Sequence, residues 1–457
     1  MMIPGEVRIP RRKHAYITYL LIAVNTVIYM ITSYKSYFIT ADTRIIWDYG
    51  FIPGYLSSLD GWIRILTSMF LHANILHIFF NMYFLFIFGR DVENFLGPFR
   101  YLLLYMISGF VASMTHTSMI PVEGMENLGI PAIGASGAIS GVLGAFLLLY
   151  PGARLVLCIP IIVFPLCGVT SSSFFIIFWF ILQIVSAYLQ AGSVAFFAHV
   201  GGFLAGMMML YLLGRDLAEK NLTLLPERID FDYVRFSVDK GYGLIRRGLG
   251  RFSRSIMIIM IIVVISGLLY SAYDSTKDYA VYAISVKASL TVSGGTYESE
   301  AIVIIVRKNA SPSYVIAPIA DDIIRVLFNR LYSAGYIVNN SLADFNGSIQ
   351  LQNQRVVIEG LKAPPVFLDL YMPLASYDSS GVIVYGYGNA TTELLSCTAG
   401  GFCTIGGVWK YNYFDLRRIG VEGVRELFTI PILISLIVSL TVLIILLKRY
   451  DLKISLM

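Results

Sequence analysis

The stretch that decides the fold is Gly-Ala-Ser-Gly-Ala-Ile-Ser-Gly, residues 134–141, inside an apolar run at 133–150 that is long enough to cross a bilayer. Its small residues recur on one helical face and would let a neighbouring backbone come close. They are Gly134, Gly137, Ser140, Gly141 and Gly144. Ser136 has a second interpretation, as a nucleophile whose base comes from the partner helix. This stretch alone favours packing, so the decision depends on the rest of the chain.

The composition indicates a membrane protein that crosses the bilayer several times. Of the 457 residues, 57% are hydrophobic and only 14% are charged, and the mean hydropathy is +0.71. The net charge of +5 is small, and the lysines and arginines lie beside apolar runs, so we expect no nucleic-acid partner. The four cysteines lack metal-site spacing, and we expect neither a metal nor a cofactor.

We expect eight membrane spans from the lengths of the apolar runs. They are residues 15–34, 72–89, 101–115, 133–150, 172–189, 194–213, 256–273 and 428–447. The mixed aromatic segment 35–67 is predicted to be a loop in the outer interface. The apolar segment 155–169 contains Pro160 and Pro165, which argue against a straight helix, so we predict a loop on the cytoplasmic side.

The basic residues predict the orientation of these spans. Nine lysines and arginines lie between residues 215 and 254, and the positive-inside rule places that segment in the cytoplasm. The predicted parts are a basic cytoplasmic N-terminus (1–14), a six-span core (15–214), a basic cytoplasmic linker (215–254), a seventh helix (255–273), an extracytoplasmic α+β domain (274–426), an eighth helix (427–447) and a cytoplasmic tail (448–457). The cell membrane is the expected location.

Residues 274–426 have the pattern of a folded domain outside the membrane. Alternating runs at 279–292 and 301–306 predict strands, and 321–336 has helical periodicity with an acidic start. Cys397 and Cys403 are close enough in sequence to form a small disulfide loop on an oxidising side.

Polar residues inside spans are costly, so each needs a reason. His77 and Asn81 stand four apart and share one helical face, where they could simply join two helices by a hydrogen bond. His199 precedes a second small-residue ridge, Gly202 and Gly206, which would fit against the ridge around Ser136.

That contact would place an imidazole beside the Ser136 hydroxyl, where it could act as a general base. The Ser136 backbone N–H, the Asn81 amide and a nitrogen of His77 could then stabilise the oxyanion. Neither the fourth nor the sixth span contains a carboxylate that could orient the base, so we predict a Ser-His dyad.

Four motifs occur together and in order along the predicted core. They are Arg64-Ile65-Leu66-Thr67, His72-x4-His77-x3-Asn81, Gly134-Ala135-Ser136-Gly137 and Ala198-His199-x2-Gly202-x3-Gly206. Each motif is short, but the four in register on the right spans form a specific pattern. In this pattern, over about residues 10–214, the chain resembles the rhomboid family of intramembrane serine proteases.

The resemblance implies an all-α, six-helix rhomboid core at 15–214 with Ser136 in a water-filled cavity below the outer surface. The two further transmembrane helices and the α+β domain are not covered by the resemblance and are predicted from the residue pattern alone. It assigns Ser136 as nucleophile, His199 as base, and His77, Asn81 and the Ser136 amide as oxyanion donors. It implies supporting roles for His72, Arg64, Gly134, Gly137, Gly202, Gly206 and Glu93. Ser140 stands where some members have an aromatic residue under the histidine, so we expect a different support here, with the Ser140 hydroxyl as one candidate.

The resulting hypothesis is an endopeptidase that cuts transmembrane proteins within the lipid bilayer. A second hypothesis is an inactive relative that binds or escorts membrane proteins, and it is disfavoured because both Ser136 and His199 are present. A third is a transporter whose path is lined by His77, Asn81 and His199, but no second half of the chain mirrors the first.

Overall fold

The computed structural model places the chain in two compact units, residues 1–277 with 425–457, and residues 278–424. It describes residues 3–4, 15–56, 58–161, 164–190, 194–223, 249–275, 279–292, 295–308, 314–316, 321–357, 364–397 and 403–448. The basic N-terminal segment, most of the linker at 215–254 and nearly all of the basic tail lie outside the described residues.

The first unit is built from helices. In chain order they are α1 (Tyr16–Ser33), α2 (Thr43–Tyr49), α3 (Leu59–Ser68), α4 (Ile75–Phe84), α5 (Arg90–Leu96), α6 (Pro98–Glu123), α7 (Ser136–Leu149), α8 (Ser172–Tyr188), α9 (Phe196–Thr223), α10 (Arg251–Asp274) and, after the second unit, α12 (Val424–Leu447). A π-helical turn, Leu85–Gly89, joins α4 to α5 without a break. The segment predicted to be a loop, residues 35–67, is thus partly helical, because α2 and most of α3 lie within it.

Six helical segments in the described part of the chain are long and apolar enough to cross a membrane. They are Tyr16–Ser36, Ile75–Leu96, Pro98–Glu123, Phe196–Gly214, Arg251–Asp274 and Leu427–Leu447. The shorter apolar helices α7 and α8 occupy the remaining two predicted spans. The protein is a multi-pass membrane protein.

The segment 155–169 is not the loop that its prolines predicted. It forms an antiparallel hairpin of β2 (Arg154–Ile161) and β3 (Phe164–Ser171), in which Pro160 pairs with Pro165. A short strand β1 (Ile3–Pro4) pairs with β2. Two prolines disfavour a straight helix but fit extended backbone, and a hairpin pairs the backbone groups that a loop would leave open. The prediction that this segment does not form a membrane helix was right, whereas the loop prediction was wrong.

Helices α7 and α9 approach each other closely enough for their backbones to touch. A Cβ added at Gly202 would collide with the carbonyl of Gly137, and one added at Gly206 would collide with the carbonyl of Gly141. Lipid tails are as apolar as leucine, so close packing of this kind holds membrane helices together. The two glycine ridges therefore fix the relative positions of α7 and α9.

Glu93 connects the start of the first helix to the core. Its buried carboxylate accepts hydrogen bonds from the backbone N–H groups of Ile17 and Thr18, at 2.9 and 2.8 Å, and from the Thr18 hydroxyl at 2.7 Å. The first N–H groups of a helix have no partners within it, and a negative charge there is favourable. Glu93 thus caps α1, whereas the family resemblance implied only that it holds a turn.

The two additional helices pack against α6 through small polar residues. The Ser271 hydroxyl on α10 donates to the Ser118 carbonyl, and the hydroxyls of Ser435 on α12 and Thr115 lie 3.1 Å apart. On the α8 side, the Tyr188 hydroxyl donates to the Val263 carbonyl of α10 at 3.1 Å. Polar contacts of this kind join helices within an apolar environment.

The second unit is a seven-stranded antiparallel sheet in the order β6-β5-β4-β10-β9-β8-β7, with helix α11 (Asp322–Ser333). The strands are β4 (Tyr279–Val292), β5 (Gly295–Lys308), β6 (Tyr314–Ile316), β7 (Asn346–Val356), β8 (Val366–Tyr377), β9 (Ile383–Cys397) and β10 (Cys403–Gly423). The expected strand at 279–292 has those bounds, and Asp321 caps α11 by accepting from the Ile324 N–H. Cys397 and Cys403 face each other in the backbone register of β9 and β10, and their disulfide stays a prediction.

Candidate active site

Ser136 and His199 lie side by side across the contact between α7 and α9. Their Oγ and Nε2 atoms are 2.8 Å apart. Ser136 is the first residue of α7, which therefore starts three residues later than the predicted span and is about 21 Å long. The backbone N–H of a first helical residue has no acceptor within the helix and lies at the positive end of its dipole. The hydroxyl and a suitable oxyanion donor thus belong to one residue.

The imidazole of His199 is held on its other side by Gln183, a residue of α8. The Nδ1 atom lies 2.7 Å from the Gln183 Oε1 atom. The rings of Trp179 and Phe196 flank the imidazole, with centroids 6.1 and 6.4 Å away. The motif spacing did not identify these three residues. A signal was nevertheless present, because Gln183 is the one amide side chain in the apolar sequence of α8 and such residues in spans need an explanation.

The Ser140 hydroxyl does not provide this support. It donates a 2.6 Å hydrogen bond to the carbonyl of Ser136, one turn earlier in the same helix. Its single proton is therefore used within α7, and the candidate contact from Ser140 to the base is replaced by the amide of Gln183 and the two flanking rings.

His77 borders the same small space as the serine. Gly134 has φ +116°, and a Cβ added to it would lie 2.7 Å from His77 Nε2 and 3.7 Å from Ser136 Oγ. The Ala73 N–H points to His77 Nδ1 at 3.4 Å, so in a neutral ring the proton belongs on Nε2. The space beside Gly134 is thus lined by the Ser136 hydroxyl and by the Nε2 nitrogen of His77.

Asn81 and His72 surround His77. Asn81 is buried one turn after His77, and its amide nitrogen donates to the His77 carbonyl at 3.0 Å, which uses one of its two N–H groups. The imidazole of His72 is fully buried and meets the His77 ring edge-on, with centroids 5.0 Å apart. The structure thus brings His72 and Asn81 against His77, with His72 packed on the ring itself.

Arg64 lies in the segment that precedes α4 and holds its loop together. Its guanidinium donates to the Trp47 carbonyl at 2.6 Å and lies over the Tyr55 ring, 5.2 Å from the centroid. Burial raises the pKa of Tyr55 to about 12, so the phenol stays neutral. The same loop pairs with the segment before α7, because Phe51 and Ala132 exchange backbone hydrogen bonds at 3.1 and 2.8 Å. The loop that Arg64 stabilises is therefore hydrogen-bonded to the backbone segment that leads into Ser136.

The remaining predicted residues lie in structural positions. A Cβ on Gly137 would come within 2.6 Å of the Ala112 Cβ on α6. The missing side chain at Gly137 therefore lets α6, as well as α9, approach α7. Gly202 and Gly206 form the contact with α7 that the fold requires, and Glu93 caps α1. Among the described residues, no cluster of three or more His, Cys, Asp or Glu side chains could hold a metal ion.

The arrangement is suited to acyl transfer. A hydroxyl nucleophile has an imidazole nitrogen within hydrogen-bond distance, and that imidazole has a second partner that orients it. The His77 Nε2 atom lies beside the same space, where a donor could stabilise charge on an attacked carbonyl oxygen.

Comparison with known proteins places these residues in a recognised domain. The sequence model of the Rhomboid domain matches residues 59–216. RHOMBOID-like protein 6, mitochondrial, of Arabidopsis thaliana is 34% identical over 150 residues, 33% of this chain and 43% of that protein. Rhomboid protease GluP of Bacillus subtilis is 32% identical over 130 residues, 28% and 24% of the two chains. Inactive rhomboid protein 1 of Drosophila melanogaster is 32% identical over 90 residues, 20% and 6%. The matched stretch spans less than half the length of each relative.

Replacing Gly134 by alanine tests the space beside the serine. The methyl group would collide with His77 Nε2 and would impose a strained φ, so we expect the reaction of Ser136 with a fluorophosphonate probe to slow about 30-fold, equivalent to about 2 kcal/mol. The measurement is the labelling rate in detergent micelles. Gly152→Ala is the control, because a Cβ at Gly152 meets nothing within 4 Å. A Gly134→Ala rate equal to that of Gly152→Ala would contradict this geometry.

Proposed function

We propose that this chain, which belongs to the rhomboid family through its domain at residues 59–216, is an intramembrane serine endopeptidase. The observation that carries the proposal is the 2.8 Å contact between Ser136 Oγ and His199 Nε2. It joins the nucleophile and base that the chemistry needs, on helices whose approach is fixed by glycine. The substrates are transmembrane proteins held in the same bilayer.

In the first half of the reaction, Ser136 forms a bond with the carbonyl carbon of the scissile peptide. His199 Nε2 takes the hydroxyl proton as the C–O bond forms. The carbonyl oxygen becomes an oxyanion, which accepts hydrogen bonds from the Ser136 N–H, the His77 Nε2–H and the second N–H of Asn81. The C–N bond then breaks, and the imidazolium returns its proton to the leaving amine.

In the second half, water hydrolyses the acyl-enzyme. His199 takes a proton from the water while its oxygen attacks the ester carbonyl, and the same donors stabilise the second oxyanion. The C–O bond to Ser136 breaks, and the proton passes back to the serine oxygen. The new carboxylic acid leaves and ionises in water, and the resting pair of hydroxyl and neutral imidazole is restored.

The position of the nucleophile favours substrates that unwind. A transmembrane helix hides its carbonyl groups in hydrogen bonds to residues four places along, so no intact helix offers one to Ser136. The family resemblance implies a small residue before the cut and a helix that unwinds easily nearby. We therefore propose single-span substrates with these two features.

The inactive binding or escort function is the alternative, and one relative is named as an inactive protein. An escort function needs neither the serine nor the histidine and gives no reason for a hydrogen bond between them. The contact of Ser136 with His199, and of His199 with Gln183, favours the protease over this alternative.

Cleavage in proteoliposomes tests the proposal. The full chain is reconstituted with single-span reporters whose helices carry a small residue followed by a glycine or proline. We expect two fragments with a new N-terminus within or beside the span for the wild type, and at least about a 1000-fold lower rate for Ser136→Ala and His199→Ala. N-terminal sequencing of the product locates the cut.

Ser266→Ala is the matched control, because the Ser266 hydroxyl donates to the Ile262 carbonyl of its own helix, α10. Cleavage that persists in Ser136→Ala would contradict the protease proposal. Binding of the reporters by the wild type without any cleavage would favour the escort function instead.

We also propose that the protein lies in the cell membrane with its N- and C-termini in the cytoplasm and residues 274–426 outside. The support is the distribution of lysine and arginine, which are dense at 8–13, between 215 and 254, and at 448–453. On this orientation the β2–β3 hairpin, with Arg154 at its start, faces the cytoplasm.

Cysteine accessibility tests the orientation. In a variant whose four cysteines are serine, we expect a membrane-impermeant maleimide to label Glu298→Cys in intact cells, because residue 298 is exposed and lies in the outer domain. Arg154→Cys, also at an exposed position, should react only after permeabilisation. The opposite pattern would overturn the proposed orientation, and labelling confined to an internal membrane would overturn the cell-membrane location.

A further inference from the structure

Gln183 contacts His199, the candidate base, although it is not part of the predicted Ser-His dyad. It lies in α8, in an apolar helix, and is only 9% exposed. A buried amide costs free energy unless it is hydrogen-bonded, and Gln183 has its oxygen 2.7 Å from His199 Nδ1. The contact joins two helices that would otherwise meet mainly through apolar groups.

The chemistry of the two atoms decides how the proton is placed. An amide oxygen can only accept, so the hydrogen bond requires the ring proton to lie on His199 Nδ1. In a neutral imidazole the other nitrogen, Nε2, then carries a lone pair, and this is the atom 2.8 Å from Ser136 Oγ. The tautomer that Gln183 selects is the one that can take the serine proton.

Gln183 also limits rotation of the ring together with its neighbours. Trp179 lies one turn before Gln183, so the same face of α8 presents both side chains to His199. Phe196 meets the imidazole edge-on from the segment that starts α9. Two aromatic rings restrict the plane of the imidazole, and the amide fixes which nitrogen faces the serine.

A neutral amide suits this depth better than the carboxylate of a catalytic triad. A buried carboxylate would have to be desolvated, a free-energy cost that its attraction to the ring offsets only in good geometry. The amide supplies the directional acceptor without that cost. It provides orientation but no negative charge.

We propose that Gln183 is a positioning residue that selects the Nδ1-protonated tautomer of His199, an inference that rests on the proposed protease function. It is not a catalytic residue, because it contacts the base and not the reacting atoms. A purely structural role, as a hydrogen bond that joins α8 to α9, would affect stability but not the tautomer of the imidazole.

The test compares Gln183→Met, which keeps the length but removes the acceptor, with Gln183→Glu, which keeps an acceptor oxygen. We expect kcat for reporter cleavage to fall about 100-fold in Gln183→Met with KM nearly unchanged, since orientation and not binding is lost. Gln183→Glu should recover kcat to within about tenfold of the wild type. Leu182→Met, at the neighbouring exposed position of α8, is the control.

A spectroscopic measurement reads the tautomer without activity. Ring 15N shifts of labelled histidine, assigned by loss of the signal in His199→Asn, distinguish a protonated nitrogen from a bare one. In the wild type we expect Nδ1 protonated and Nε2 bare, and in Gln183→Met a mixture of both forms.

The outcomes separate this inference from the proposed function. Activity that does not depend on Ser136 overturns the protease proposal and says nothing for Gln183. If activity depends on Ser136, then wild-type kcat and an unchanged tautomer in Gln183→Met overturn the positioning role. If Gln183→Met fails to fold, Gln183→Glu decides, because a folded Gln183→Glu with kcat lowered about 100-fold also overturns it.

Discussion

The contact between the backbones of α7 and α9 is the constraint on which the rest of the site depends. Gly202 meets the carbonyl of Gly137, and Gly206 meets that of Gly141. Ser136 precedes the first of these contacts by one residue, and His199 precedes its partner by three. A side chain on Gly202 or Gly206 would push the two helices apart. The Ser136 hydroxyl would then be separated from the His199 imidazole. Helix packing and the chemistry at Ser136 are therefore one structural feature.

Three polar side chains near the serine make hydrogen bonds within the protein. His199 has a partner on each ring nitrogen, His77 accepts the Ala73 N–H on one nitrogen, and Asn81 uses one N–H on the His77 carbonyl. Imidazole, hydroxyl and amide groups can make these contacts in their neutral forms, which avoids the cost of burying charge in an apolar core. The buried carboxylate of Glu93 accepts hydrogen bonds from three donors at the start of α1.

Features encoded by local spacing could be predicted from the sequence. The glycine ridges, the shared face of His77 and Asn81, and the apolar runs depend only on helical periodicity and on the length needed to cross a bilayer. The strand at 279–292 was predictable for the same reason, since alternation has a period of two.

The contact between Ser136 and His199 could be predicted because matching glycine ridges mark both helices, whereas contacts without such a matching pattern could not. Gln183 and His199 lie on different helices, and no spacing rule relates them. Ser140 looked like a support for the base because it lies one turn after Ser136, but its hydroxyl bonds to the carbonyl of its own helix. The hairpin at 154–171 escaped prediction because two prolines argue against a straight helix without specifying what replaces it.

The central claim is that Ser136 is a nucleophile activated by His199 within the membrane. The most direct measurement is to treat the reconstituted protein with a fluorophosphonate and to map the adduct by mass spectrometry. The account predicts one adduct per chain, on Ser136, and its loss in His199→Ala. An adduct on another residue, no adduct at all, or equal modification of Ser136 in His199→Ala would contradict it.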